Sequence, residues 1–243
     1  MSETPRIALI TGANKGIGLE TARRIGQAGL RVLLGARKPA LGEAAAAVLA
    51  SEGLDARFIH IDLNAPETLT SAASAIESEF SRLDVLVNNA GITDRADGSP
   101  GRASPEAVRR IFETNVHGSL AVIQAMLPLL RQSSSARIVN VSSGLGSLAL
   151  NSDPDWEFSG VKLFGYNASK AALNMLTAQL ATELAPNGIK VNSADPGFTA
   201  TDLNGHRGYQ SVEVGAEIVV HLALLSNDGP TGGFFSKDGA NPW

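Results

Sequence analysis

Short, fully apolar runs alternate with longer amphipathic stretches along almost the whole chain, and this alternation points to a fold class before any single residue is weighed. Ile7-Ala8-Leu9-Ile10 has the length of a buried strand and ends in Thr11-Gly12, after which Gly16-Ile17-Gly18-Leu19 opens a helical pattern that stops near Gly29. Arg31-Val32-Leu33-Leu34 predicts a second strand, and residues 39–53 an alanine-rich helix with Pro39 in its first turn. The pattern repeats with a strand at Arg57-Phe58-Ile59-His60-Ile61, a helix over 66–80, and a strand at Leu83-Asp84-Val85-Leu86-Val87 that runs into Asn88-Asn89-Ala90-Gly91. Ser104 reads as an N-cap with Pro105 behind it, starting one long helix toward Leu130. Arg137-Ile138-Val139-Asn140-Val141 is the fifth strand, followed by a loop to about Gly165 and a helix from Tyr166 to the Pro186-Asn187-Gly188 stop. A strand at 189–193, an irregular stretch over 196–210, a helix over 212–225 and a short strand at Gly233-Phe234-Phe235 complete the chain. Short apolar strands separated by long helices imply βαβ units. The expectation is α/β: a single-domain, doubly wound parallel sheet of the Rossmann type spanning 1–243, with about seven strands and helices on both faces.

Composition narrows the partners. With 243 residues and 44% hydrophobic content, the chain suits one large core and is short for two. The formal net charge of -4 is spread without basic clusters, so neither a nucleic-acid surface nor an anionic membrane surface is expected. There is no cysteine, which excludes disulfides, thiolate metal sites and a cysteine nucleophile; His60, His117, His206 and His221 lie too far apart to pattern a metal, so no metal is expected. The first residues lack a signal-peptide pattern and no apolar stretch reaches the roughly 18 residues of a membrane span, which leads to the expectation of a cytoplasmic protein.

Two stretches carry chemistry. Tyr166 and Lys170 are four apart on a predicted helix and therefore share a face, with Cβ atoms about 5–6 Å apart. An ammonium about 5 Å from a phenol contributes roughly 3 kcal/mol toward phenolate at an effective dielectric near 20, enough to lower the tyrosine pKa by about two units. Such a phenol passes a proton near neutral pH. The alternative, taken on this pair alone, is that both residues decorate a helix. Thr11-Gly12-Ala13-Asn14-Lys15-Gly16-Ile17-Gly18 lies between first strand and first helix, where glycines let backbone approach a pyrophosphate and the helix N-terminus supplies amide donors. Its spacing differs from Gly-x-Gly-x-x-Gly, and no Gly-Lys-Ser/Thr follows; a purely structural turn is the competing reading.

Taken in order, Thr11-Gly12-x-x-x-Gly16-Ile17-Gly18, Asp62-Leu63, Asn88-Asn89-Ala90-Gly91, Asn115-Val116, Ser142-Ser143, Tyr166-x-x-x-Lys170 and Pro196-Gly197-x-Thr199 resemble the motifs of the short-chain dehydrogenase/reductase family over almost the whole chain. The Asn-Lys-Gly-Ile-Gly turn, Asn115-Val116-His117-Gly118 and Gly232-Gly233-Phe234-Phe235 look most like carbonyl reductases. The resemblance implies that Tyr166 donates a proton to a substrate carbonyl oxygen polarised by Ser143. Lys170 would tune Tyr166 and bind the nicotinamide ribose, and Asn115 would hold a relay water. The cofactor would be bound by Gly12, Asn14, Lys15, Gly16, Ile17 and Gly18, by Asp62 and Leu63 beside the adenine, by Asn89, Ala90 and Gly91 beneath its ribose, and by Pro196, Gly197 and Thr199. Ser143 is assigned over Ser142 because the family's catalytic serine is the second of the pair.

NAD-binding folds place an acid after the second strand to accept from the ribose hydroxyls. Here Gly35-Ala36-Arg37-Lys38 stands there instead, so Arg37 faces a 2′-phosphate with Lys15 approaching from the glycine turn, and NADP(H) is the expected cofactor. Arg37 as a plain solvated residue is the alternative. Twenty-two residues separate Ser143 from Tyr166, more than in most family members but fewer than in monomeric animal carbonyl reductases. This segment is expected to form a lip over the substrate, with Trp156 and Phe158 as apolar wall or as packing for the loop itself. A homodimer or homotetramer paired through the Asn115 and Tyr166 helices is the expected assembly. The leading function is reduction of a small-molecule ketone or aldehyde; an NAD-dependent alcohol or steroid dehydrogenase and a non-catalytic nucleotide sensor are the rivals.

Overall fold

In the computed structural model, which describes residues 5–243, side-chain alternation on the strands sorts the core into two layers. Residues 1–4, part of the segment read as lacking a leader, lie outside the described residues. The strands are β1 (Ile7–Thr11), β2 (Arg31–Ala36), β3 (Ala56–His60), β4 (Val85–Asn88), β5 (Arg137–Val141), β6 (Lys190–Ala194), β7 (Phe234–Ser236) and β8 (Gly239–Ala240). The helices are α1 (Gly16–Gln27), α2 (Pro39–Ser51), α3 (Pro66–Phe80), α4 (Pro105–Phe112), α5 (Ser119–Leu130), α6 (Leu148–Ser152), α7 (Phe164–Leu184) and α8 (Val212–Ala223). Leu9, Leu33, Leu86, Ile138 and Val191 face Ile76, Ile123, Met126, Leu180 and Leu184 of α3, α5 and α7. Their neighbours Ala8, Ile10, Val32, Leu34, Val87 and Val139 face Ile25, Leu49, Val219 and Leu222 of α1, α2 and α8. A period of two with both faces apolar reads as a continuous hydrophobic run, which is why the central strands were visible in the sequence. Each fully buried aliphatic side chain contributes about 1.5–3 kcal/mol through removal from water.

Sheet order is β3-β2-β1-β4-β5-β6-β7-β8. All pairings among β1 to β7 are parallel, and only β7–β8 is antiparallel. The chain order therefore reverses direction between β1 and β4, and a doubly wound sheet opens a crevice at the carboxyl ends of its strands where that happens. Among the described residues there are eight strands. The one beyond the expected seven is the two-residue β8, too short to carry a hydrophobic pattern.

Three departures from the expected elements bear on the site. The long helix expected over 105–130 is interrupted by a π-helical turn at Glu113–Gly118 centred near Asn115. Asn115 Oδ1 accepts from Ile92 N at 2.8 Å and its Nδ2 donates to Ile92 O at 3.0 Å and to Ser169 Oγ at 3.0 Å. A single side chain thus ties the strand β4 exit to α7, and the local widening of the helix is the kind often found at functional sites. The loop expected over 144–165 contains α6, and α7 starts at Phe164. No side chain of α7's own N-cap residue accepts there; instead the Asp97 carboxylate, from the loop after β4, accepts from Gly165 N and Tyr166 N at 2.9 Å each. Beneath α7, Asn88 Nδ2 donates to Asn140 Oδ1 at 2.9 Å, Asn140 Nδ2 donates to Thr177 Oγ1 at 2.8 Å, and Thr177 and Ser193 share a hydrogen bond of 2.8 Å. This buried polar chain pins the helix across β4, β5 and β6.

Candidate active site

The site is assembled at the carboxyl ends of β1, β4, β5 and β6, where each strand hands over to a loop. Thr11 Oγ1 accepts from Asn89 N and Ala90 N, both at 3.1 Å, while Asn89 Nδ2 donates to Thr11 O at 2.9 Å. The glycine turn is therefore fastened to the β4 exit. Gly12 holds φ +64°, and a Cβ there would lie 3.0 Å from Ala90 Cα; a Cβ on Gly18 would lie 2.5 Å from Asn89 Nδ2. Neither position admits a side chain, so the turn stays tight and backbone lines the crevice. A cleft of about 380 Å³ results, walled by the glycine turn and Arg37 at one end, by Asp62, Leu63 and Asn89–Gly91 along its side, and by Tyr166 and Lys170 at the other end.

At the Tyr166 end the two serines of the doublet part ways. Ser142 Oγ donates to Lys170 O at 3.4 Å, whereas Ser143 Oγ accepts from Leu145 N at 3.2 Å and shares a hydrogen bond with the Tyr166 hydroxyl. Lys170 Nζ lies 5.7 Å from the Tyr166 ring centroid and donates to Val141 O at 2.7 Å. The expected lowering of the Tyr166 pKa is reversed in the fold. Burial pushes the phenol up to about 12, the Asp195 charge adds to that, and only the Ser143 hydrogen bond works in the other direction. Burial also lowers Lys170, to about 8. The sequence argument treated the pair as if it stood in a mean dielectric; once both groups are removed from water, desolvation outweighs their mutual attraction.

At the other end, no carboxylate follows β2, and Arg37 is exposed on the cleft wall, its backbone carbonyl hydrogen-bonded with His60 Nε2 at 3.2 Å. Lys15 also lines the cleft but pairs with Asp202 at 2.5 Å, and Asp202 in turn meets His206 Nε2 at 2.7 Å. Asp62 Oδ1 accepts from Asn64 N at 3.0 Å. Pro196 lines the cleft, but Gly197 and Thr199 do not: Thr199 is buried, its Oγ1 donating to Pro196 O at 3.0 Å and accepting from Gln210 Nε2 at 2.9 Å. Thr201, Asp202 and Leu203 take that stretch of wall instead. Sequence reading passed over these three, and over Asp97 and Asp195, because each lies in an irregular segment without periodicity. The Asp97-Gly98 pair was the one usable turn signal. Trp156, Phe158, Phe198 and Tyr209 form an edge-to-face series with centroid spacings of 5.5, 5.7 and 5.8 Å, so the aromatics of 144–165 pack against the loop after β6.

Backbone-lined turn, helix N-terminus and absent acid fit a nicotinamide dinucleotide, and comparison with known proteins agrees. The family model for short chain dehydrogenases matches residues 6–211. The chain belongs to the short-chain dehydrogenase/reductase family and is an oxidoreductase of the carbonyl reductase-like group. It is 40% identical over 226 residues to the short-chain dehydrogenase anuI of Penicillium roqueforti, covering 90% of this chain and 89% of that protein. It is 33% identical to carbonyl reductase [NADPH] 1 of Sus scrofa, covering 100% of this chain and 96% of that one. Among solved structures, the NADPH-bound carbonyl reductase from chicken fatty liver superposes with a TM-score of 0.85 at 27% identity, covering 98% of this chain and 99% of that one. Among the described residues no helix is long and apolar enough to cross a membrane, and no cluster of potential metal ligands is present.

Proposed function

We propose that the protein reduces a ketone or aldehyde to the corresponding alcohol using NADPH. The observation that carries this reading is the Ser143–Tyr166 hydrogen bond beside the Lys170 ammonium at the closed end of the dinucleotide cleft. When bound, NADPH supplies the hydride. The glycine turn, Asp62, Leu63, Asn89–Gly91 and Pro196 hold the dinucleotide, and Arg37 with Lys15 meets the 2′-phosphate. Gly197 and Thr199 act from behind the wall by shaping the turn at Pro196. Ser143 and Tyr166 hydrogen-bond the carbonyl oxygen, and Tyr166 gives its proton to the alkoxide that forms there. A phenol held near 12 stays protonated throughout the physiological range and is still acid enough to protonate an alkoxide, which favours the reducing direction. Lys170 binds the ribose hydroxyls and restores the phenol's proton; Asn115 holds the π-helical turn that aligns it.

The test is NADPH oxidation, followed by absorbance, against a panel of ketones, aldehydes and quinones. Tyr166→Phe is expected to lower turnover on the order of 10²-fold or more while leaving NADPH affinity nearly intact, and Lys170→Ala to injure both. A Tyr166→Phe protein retaining more than a few per cent of the wild-type rate refutes the assignment.

A further inference from the structure

Residues 200–209 form one closed loop that lines the dinucleotide cleft through Thr201, Asp202 and Leu203. Its neck is the bridge between Thr199 and Gln210, where Ala200 N donates to Gln210 O at 2.9 Å. Within it, Asn204 Nδ2 donates to Thr199 O at 2.8 Å and His206 N donates to Thr201 O at 2.9 Å, so the loop is tied to itself. Beyond the neck, among the described residues, two polar contacts hold it to the rest of the fold. Leu203 O accepts from Thr93 Oγ1 at 3.3 Å on the β4 side, and the Asp202 carboxylate pairs with the Lys15 ammonium at 2.5 Å on the glycine-turn side.

The two cations that the cleft offers to a 2′-phosphate are therefore unequal. Arg37 has no acidic partner among the described residues; only its backbone carbonyl is engaged, with His60. Lys15 is already held by a carboxylate. The Lys15 and Asp202 side chains are 63% and 51% exposed, which makes the pair weak and easily exchanged. His206 Nε2 stands 2.7 Å from Asp202 Oδ1, so the carboxylate keeps one partner when Lys15 leaves it. Lys15 and His206 together hold the Asp202 carboxyl below the usual carboxylate range, so it carries its charge at neutral pH. An ammonium has three protons and can reach two anions at once, but two anions drawn to one exposed cation repel each other. In either geometry the carboxylate works against the phosphate.

We propose that Asp202 sets the strength of the NADP(H) preference by competing with the cofactor's 2′-phosphate for Lys15. This deepens, and rests on, the NADPH reading above. Asp202 is a positioning residue: it touches no reacting atom and acts only through the ammonium it holds. The discrimination between NADPH and NADH is thus smaller than Arg37 and Lys15 together would give, because part of what the phosphate gains at Lys15 replaces a contact already made. The competition also ties cofactor to loop, since a phosphate that takes Lys15 releases one of the two contacts holding residues 200–209 beside the cleft.

The test is calorimetric binding of NADP⁺ and NAD⁺ to the intact chain, read as the ratio of the two dissociation constants. Removing the Asp202 charge should raise the preference for NADP⁺, the reverse of what losing a merely structural residue does. Asp202→Asn and Asp202→Ala, the second of which leaves Lys15 no acceptor at all, are each expected to tighten NADP⁺ by about threefold with NAD⁺ little changed, as the modest strength of an exposed ion pair implies. The same substitutions made on Lys15→Met should move the ratio little, since the group through which Asp202 acts is gone. A gain of equal size on Lys15→Met overturns the proposal, because Asp202 would then be a plain repeller of phosphate. A wild-type preference for NADP⁺ that both Asp202 variants leave unmoved or reduce overturns the proposal alone. Wild type and variants that all bind the two nucleotides alike, or bind neither, sink the NADP(H) reading together with it.

Discussion

Replacing Lys170 by methionine should make the cofactor-free protein more stable while destroying its activity. Lys170 is 4% exposed and, among the described residues, its ammonium has one hydrogen-bond acceptor, Val141 O at 2.7 Å. Burial lowers its pKa from the ordinary 10.5 to about 8. At 1.36 kcal/mol per pH unit, that fall corresponds to about 3 kcal/mol by which burying the charged form disfavours folding at neutral pH. Methionine is unbranched and of similar length, so it fills the channel without a large void, but it leaves Val141 O without its donor at a cost of about 1 kcal/mol. The net gain is about 2 kcal/mol, which for a chain of this size raises Tm by roughly 4–8 °C. The pH dependence has a fixed sign. Because the folded pKa lies below the unfolded one, the penalty is fully present below about pH 8 and fades as pH rises toward 10.5, where the unfolded lysine also loses its proton. Differential scanning calorimetry of wild type and Lys170→Met between pH 7 and 10.5 should therefore show two curves that approach and then cross near the alkaline end, where the fading penalty falls below the roughly 1 kcal/mol cost of the lost Val141 O donor. NADPH should narrow the gap from the other side by binding the wild type better, since ligand affinity adds to the stability of the folded state only. A Lys170→Met protein with a Tm equal to or below that of wild type at pH 7 would show that the ammonium is compensated inside the fold and that the desolvation argument is wrong.

Other expectations can be checked with the same preparations. Arg37→Asp should collapse the ratio of kcat/KM with NADPH to that with NADH by about a hundredfold, because a charge-assisted contact is replaced by repulsion; an unchanged ratio removes Arg37 from the 2′-phosphate site. Asp97→Ala removes the acceptor of both Gly165 N and Tyr166 N, which should cost about 1–2 kcal/mol of stability and lower kcat by displacing Tyr166, with Asp97→Asn in between; full kcat in the alanine variant shows that α7 starts correctly without it. On self-association, Ala168 and Ala171 share a pocket with Leu145, Gly146, Leu148 and Asn151, so the segment 144–165 reaches the start of the α7 face, while Met175 further along is 59% exposed and left open. Light scattering at micromolar concentration should then give a dimer or tetramer, and a monomeric mass rules that pairing out.

How much of this was legible without the structure differs from element to element. β1, β4 and β5 were legible because they are buried on both faces, and a run such as Ile7–Ile10 reads as a strand covered by helices on either side. The glycine turn and the Tyr166–Lys170 pair were legible because the geometry that defines each lies at short sequence spacing, which the chain itself records: a positive φ at Gly12, one helical turn between phenol and ammonium. The missing acid after β2 was legible for the same reason. What the sequence could not contain is anything set by groups that meet only after folding. Asp97 caps a helix that begins 67 positions later, counting from Asp97 to Phe164. Asn115 bends its own helix because Ile92 and Ser169 come within its reach. β8 turns the chain back so that Asn241 reaches Asp195. The electrostatics depend on the fold most of all. From the sequence, four residues of separation put a cation beside a phenol and argued for an acidic tyrosine; the tertiary structure removed both from water, brought the Asp195 charge within reach of the phenol, and moved the tyrosine the other way. Spacing along the chain fixes which groups are neighbours, but the dielectric around them and the charges beyond them are properties of the packed fold.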